Sequence, residues 1–155
     1  MIIPSVTAWC QPHLTNKGLH VSYTYDKHLY YGSNKRDPRF FDVYKLSIDG
    51  YASEMIYQNN DGLNYSAMSS DENFFALSKT MNTNDSDLFL YDVKTKEMTK
   101  MNENLSANSA QDFSEDNSTF YYTTDDGGEF SYLMSYDLNS KEKKKVVEKS
   151  WDIVG

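Results

Sequence analysis

The chain has 155 residues, the size of one domain, and 15% of them are aromatic, including 13 Tyr and 8 Phe. Such side chains suit pleated, half-buried surfaces better than helices. A formal charge of −8 gives an acidic field, the opposite of what a nucleic-acid binder needs. No window approaches a run of about 18 apolar residues, so no membrane-spanning helix is expected.

In chain order, residues 1–18 are read as the remnant of a preceding unit, with an extended stretch at 2–8 followed by a loop. The Met-Ile-Ile start has neither a basic region nor a long apolar region, so no signal peptide is expected and the compartment stays open. Cys10 is the single cysteine, which rules out an intrachain disulfide. Four short strands follow at 19–24, 28–33, 41–47 and 52–57, with Asp49-Gly50 as a hairpin signal. The next four fall at 65–69, 74–78, 88–93 and 97–101. There Leu88, Leu90 and Asp92 alternate with Phe89, Tyr91 and Val93, and Lys94-Thr95-Lys96 makes a polar turn. The last four fall at 110–114, 119–124, 131–138 and 143–148. The Lys141 to Lys145 run reads as a solvated turn and edge strand, where lysines discourage aggregation. Residues 150–155, with Trp151-Asp152-Ile153-Val154, read as the opening strand of one more unit, so both ends look like cuts through a longer array.

These strands repeat. Asp26, Asp71 and Asp116 are spaced 45 residues apart, and each is followed seven residues later by Ser33, Ser78 or Thr123. Between lie Leu29-Tyr30-Tyr31, Phe74-Phe75-Ala76-Leu77 and Phe120-Tyr121-Tyr122; further on come Tyr44-Lys45-Leu46, Tyr91-Asp92-Val93 and Tyr136-Asp137-Leu138. A period of about 40–45 residues with four strands per unit predicts β-propeller blades. The expected fold is therefore all-β, a partial propeller of about three four-stranded antiparallel blades. Blade one is residues 19–63, blade two 64–108 and blade three 109–149. Closed propellers have about 4–8 blades, so an open arc must be covered by a second copy, the rest of a longer parent, or a partner chain.

Asp26, Asp71 and Asp116 are read as turn residues, because a short polar side chain at a hairpin bonds nearby amides. Positions repeated from blade to blade cannot converge on one substrate atom. His13, His20 and His28 lack metal-ligand spacing, although His20 and His28 fall on one hairpin. The segment from Asn82 to Asp87 has calcium-loop composition, but Asp87 and Val93 stand where Gly and Glu are required, so no metal or other cofactor is expected. Loops leaving the second and fourth strands of a blade share one face. That face gathers residues 35–40, 59–63, 79–86, 102–107 and 125–130, and it yields a candidate ligand or partner surface of Arg36, Arg39, Asp61, Asp85, Asp125 and Glu129.

The turns resemble the degenerate WD40-like units of TolB-type propellers, whose turn reads S-P-D-G. Here Tyr25, Ser70 and Glu115 replace the Pro, and Lys27, Glu72 and Asn117 replace the Gly. Longer strings sharpen the likeness: Arg36-Asp37-Pro38-Arg39-Phe40-Phe41-Asp42, Asn59-Asn60-Asp61-Gly62-Leu63-Asn64 and Ala76-Leu77-Ser78-Lys79-Thr80. After them come Asn84-Asp85-Ser86-Asp87-Leu88-Phe89-Leu90-Tyr91-Asp92, Phe120-Tyr121-Tyr122-Thr123-Thr124-Asp125 and Glu129-Phe130-Ser131-Tyr132-Leu133. In this order they resemble the N-terminal propeller of bacterial prolyl oligopeptidase-type serine peptidases over residues 20–154.

The resemblance implies a propeller that filters substrates for a following α/β-hydrolase domain with a Ser–Asp–His triad. No pair of glycines here brackets a serine as G-x-S-x-G requires, so no catalytic residue is carried over and no peptidase activity is expected of this chain. The expected role is a non-catalytic segment that gates substrate or binds a peptide or protein. Its alternatives are a stand-alone self-associating module and a subunit whose hydrolase domain lies on another chain.

Overall fold

The computed structural model describes residues 19–25 and 27–153. Its first sheet is made of β1 (Leu19–Tyr25), β2 (His28–Asp37), β3 (Phe40–Ser47) and β4 (Ser53–Tyr57). The second holds β5 (Asn64–Met68), β6 (Phe74–Thr80), β7 (Ser86–Asp92) and β8 (Met98–Lys100). The third holds β9 (Asn108–Phe113), β10 (Thr119–Thr124), β11 (Tyr132–Asp137) and β12 (Lys143–Val147). Each sheet is an antiparallel meander in chain order, β1-β2-β3-β4, β5-β6-β7-β8 and β9-β10-β11-β12. With this strand arrangement the fold is all-β, a partial β-propeller. The first sheet belongs to one compact unit ending at Gly62, and the other two form a second unit beginning at Leu63.

Within the second unit the period-two alternation of each strand supplies two apolar faces. Ala67, Ala76, Leu88 and Leu90 of the second sheet, with Met101 just after β8, meet Phe113, Phe120, Tyr122 and Tyr136 of the third, with Leu138 just after β11, in one core. Phe120 is fully buried, with the Phe113 and Tyr122 rings 4.8 and 5.8 Å away. Each such side chain removed from water contributes about 1.5–3 kcal/mol. Burial of the Tyr122 phenol pushes its pKa up to about 12. In β6, Phe75, Ala76 and Leu77 are all buried although they alternate in direction, so this strand is covered on both faces. In the first unit Tyr30, Val43 and Tyr44 are buried, and Tyr44 stacks on Tyr31 at 5.3 Å.

The hairpins repeat as the strands do. Ser69 Oγ donates to Asp71 Oδ1 at 2.6 Å and accepts from the Phe74 amide at 3.0 Å; Ser114 does the same with Asp116 and Thr119 at 2.6 and 3.0 Å. The residue after each aspartate, Glu72 or Asn117, has φ of 61° or 55°, the left-handed conformation that glycine adopts without strain. Asp26 lies outside the described residues. At the opposite end Asp92 Oδ1 accepts the Lys94 and Thr95 amides, and Asp137 Oδ1 accepts those of Asn139 and Ser140.

The largest difference from the sequence reading is the β2–β3 hairpin. Residues 35–40 are read above as a polar loop, yet β2 runs on to Asp37 and β3 opens at Phe40, leaving Pro38-Arg39 as the turn. Proline pre-sets the bend, and the Asp37 carboxylate closes it by accepting the Arg39 amide at 3.0 Å. The β1–β2 register sets His20 opposite Gly32, not His28. His13 and the extended stretch at 2–8 lie outside the described residues, as do Val154 and Gly155. The described residues 150–153 contain no strand.

Candidate functional site

The loops leaving the second and fourth strands of each sheet are held by polar side chains at recurring positions. In the first unit Asp42, fully buried near the start of β3, accepts two hydrogen bonds from the Arg36 guanidinium, at 2.7 Å to Oδ2 and 2.8 Å to Oδ1. It also accepts the Asn59 amide at 2.8 Å, and Arg36 donates to the Asn59 carbonyl at 2.7 Å. Bidentate geometry makes this a strong pair, and the hydrogen bond to Asp42 raises the Arg36 pKa. Asn59 completes the tie by donating to the Phe41 carbonyl at 3.0 Å and accepting the Asp61 amide at 3.3 Å.

In the second unit the equivalent aspartate is Asp87. Asn102 Nδ2 donates to Asp87 Oδ1 at 2.9 Å and to the Asn104 carbonyl at 2.8 Å, while Asn102 Oδ1 accepts the Leu88 amide at 3.1 Å. Lys100 Nζ stands 2.9 Å from Asp87. Burial of Asp87 works to raise its pKa, but the bonds from Asn102 and Lys100 outweigh it and the carboxyl sits below its ordinary value. In the third sheet Asp152 Oδ1 accepts the Ser131 amide at 2.9 Å, and the Ile153 amide donates to the Ser131 carbonyl at 3.1 Å.

A second set of bonds joins the loops of the second and third sheets. Asp126 Oδ1 accepts Asn104 Nδ2 at 2.8 Å, and this bond chiefly holds its carboxyl below the usual range. Asp125 Oδ1 accepts the Ala107 amide at 2.8 Å. Tyr132 donates its hydroxyl to the Asp126 carbonyl at 2.6 Å. Asn108, 6% exposed, donates from Nδ2 to the carbonyls of Ser86 at 2.7 Å and Ser106 at 3.0 Å. Ser86 Oγ returns a bond to the Asn108 carbonyl at 2.6 Å.

The six candidate residues divide between the two units. Arg36 and Asp61 meet at Asn59, so Arg36 is engaged within its own sheet. Arg39 is exposed and bonds Asp37 at 2.8 Å; that hydrogen bond is the main reason the Asp37 pKa falls to about 2. In the second unit Asp85 accepts Asn82 Nδ2 at 2.6 Å within its loop, Asp125 holds the 106–107 connection, and Glu129 is exposed. The residues that do most to organise the surface, Asp42, Asp87, Asn102 and Asn108, were not among the candidates. A usable signal exists for two of them: Asp42 and Asp87 are also 45 residues apart.

No family model matches the chain, and no curated protein does. Solved structures do. TolB from Acinetobacter baumannii aligns with a TM-score of 0.62 at 23% identity, over 86% of this chain and 33% of TolB. A prolyl endopeptidase aligns with a TM-score of 0.64 at 15% identity, over 86% of this chain and 23% of the enzyme. The β-propeller domain of the trilobed protease from Pyrococcus furiosus aligns with a TM-score of 0.59 at 17% identity, over 84% of this chain and 43% of that one. The chain thus spans less than half the length of each. At these identities the likeness is one of fold: this chain carries part of a β-propeller like those in TolB and in these peptidases.

Proposed function

We propose that this chain is a non-catalytic propeller segment that binds a peptide or protein at its loop end, and that gates substrate where it works with a hydrolase domain. The carrying observation is the bond network of Asn102, Asn104, Asp126, Ser86 and Asn108, which fixes the loops of the second unit before any ligand arrives. Preorganised loops on a rigid sheet scaffold lose little entropy on binding. The peptidases among the similar structures support a peptide as the ligand class. The net charge of −8 favours neutral or basic peptides over acidic ones.

Titrating the labelled chain with acidic, neutral and basic peptides, and following backbone amide shifts, tests this reading. Saturable shifts at residues 102–108 and 125–131, without cleavage of the peptides, are expected. Cleavage would overturn the non-catalytic role, and silence with every peptide would overturn the binding role. Light scattering on the same sample separates the alternatives: a stable mass near twice 17.9 kDa would favour self-association.

A further inference from the structure

The register of the third sheet sorts its side chains onto two faces, because residues opposite one another on neighbouring strands point the same way. Ala110, Tyr122 and Met134 share the face that holds the core. The other face carries two rows that cross all four strands. One runs Ser109, Thr123, Leu133 and Val147, and the next runs Asp112, Tyr121, Ser135 and Lys144. The interior positions of both rows carry no charge, so nothing there must stay in water. Val147 is 38% exposed, an apolar side chain at the outer edge of the sheet. Asp112 and Lys144 are exposed at opposite edges, and neither forms a salt bridge with another described residue.

This pattern is self-complementary. Two copies can lie face to face about a twofold axis parallel to the strands, above the gap between β10 and β11. Each β12 then lies across from β9 of the other copy. Lys144 faces the partner's Asp112 twice over, and a lysine and an aspartate together span the about 10 Å between packed sheets. Val147 faces the partner's Ser109, in the wall of a cavity of about 500 Å³ beside β9 that Gln111 and Thr123 also line. In the row below, Asp137 faces the partner's Thr119 and meets no like charge. The twofold across the strands fails, since it lays β12 on β12 and sets Lys143, Lys144 and Lys145 against their own copies.

We propose that this face of the third sheet binds the same face of a second copy, with two Lys144–Asp112 pairs setting the register. The proposal goes beyond the peptide-binding reading and is independent of it, because the side of the sheet pairs while the loop ends stay open.

The test is sedimentation of the full chain over a range of concentrations, alone and as charge-swapped variants. One four-stranded face is at the small end of specific interfaces, so dimers should form at about 10–100 µM. Asp112→Lys and Lys144→Asp should each weaken the dimer about tenfold, since each sets like charges together. Mixed in equal amounts, the two variants should pair with each other as the wild type does, because each supplies the charge the other lacks. Val147→Asp should remove the dimer while the amide signals of Phe120 and Tyr122 stay in place, which separates lost docking from lost folding. A monomer at every concentration would overturn the proposal and leave the face to the rest of a longer parent or to a partner chain. A dimer that neither charge swap weakens would overturn it as well, since pairing would then use another surface. Weakened variants that do not recover on mixing would exclude this twofold register.

Discussion

In the first sheet the Asp42 carboxylate is closed over by the Arg36 guanidinium. In the second, Asp87, 45 residues on, meets the neutral amide of Asn102 and the exposed end of Lys100. The job is the same, holding the segment after the fourth strand against the start of the third, but the consequences of failure differ. The Asp42 side chain is 0% exposed and that of Asp87 is 13%. A buried charge has no solvent to fall back on, so a tie built from an ion pair is cooperative and unforgiving. A tie split between the buried amide of Asn102 and the exposed ammonium of Lys100 degrades in parts. The difference teaches that one repeat position can keep its geometry while its energetics change with burial.

Asp42→Ala should break this contrast most visibly. It strips the Arg36 guanidinium of two bonds and takes from the Asn59 amide its carboxylate acceptor; at about 1.5–3 kcal/mol for a hydrogen bond to a charged group, the loss of stability read from urea midpoints should be the largest of the set. Should Asp87→Ala cost as much, the contrast falls. Asn102→Ala comes next. The Leu88 amide loses its acceptor inside the core edge, at about 1–3 kcal/mol, and the amide shifts of residues 102–104 should move with it.

Acid titration sharpens the comparison further. Asp37, Asp87 and Asp126 have folded-state pKa values below their ordinary ones, so the stability they lend is complete above about pH 4 and is lost as pH falls through the folded values. The loop signals of the second unit should loosen first, and the Asp37 turn should hold until about pH 2. Circular dichroism with residue-resolved shifts reads this order. Lys100→Ala should have the smallest effect, about 0–1 kcal/mol, since its ammonium is exposed and screened by salt. A larger loss would mean that Asp87 behaves as Asp42 does.

Much of this fold could be read from the chain because its signals are local and repeated. The 45-residue step, the alternation around Leu88 and Leu90, and the aromatic runs at Tyr30, Phe75 and Phe120 each mark one strand and recur. The site was less legible. Arg36 looks like a loop cation in the sequence. Only the continuation of β2 to Asp37 brings it onto Asp42, and strand length past a polar stretch is set by pairing rather than by residue type. Asn108 carries no charge and no motif. Its importance comes from Ser86, 22 residues earlier, reached only when two sheets pack. Neutral amides with distant partners leave no local trace. Glu72 and Asn117 are the opposite case: the turn they occupy could be aligned, but their left-handed φ replaces the glycine that would have announced it.

Every strand in the three sheets pairs only with its neighbours in the chain. Ties between the second and third sheets span longer stretches: Asn117 Oδ1 accepts from the Ser70 amide and Lys143 Nζ donates to the Met101 carbonyl, at separations of 47 and 42 residues. Closing short loops is entropically cheaper than closing long ones, so the second and third sheets should each zip as a meander before the two dock. In that order, substitutions in the hairpins slow folding, whereas Lys143→Ala speeds unfolding and leaves the folding rate almost untouched. The second unit thus assembles from two separately formed leaves, and its residence time in the folded state is governed by the clasps between them.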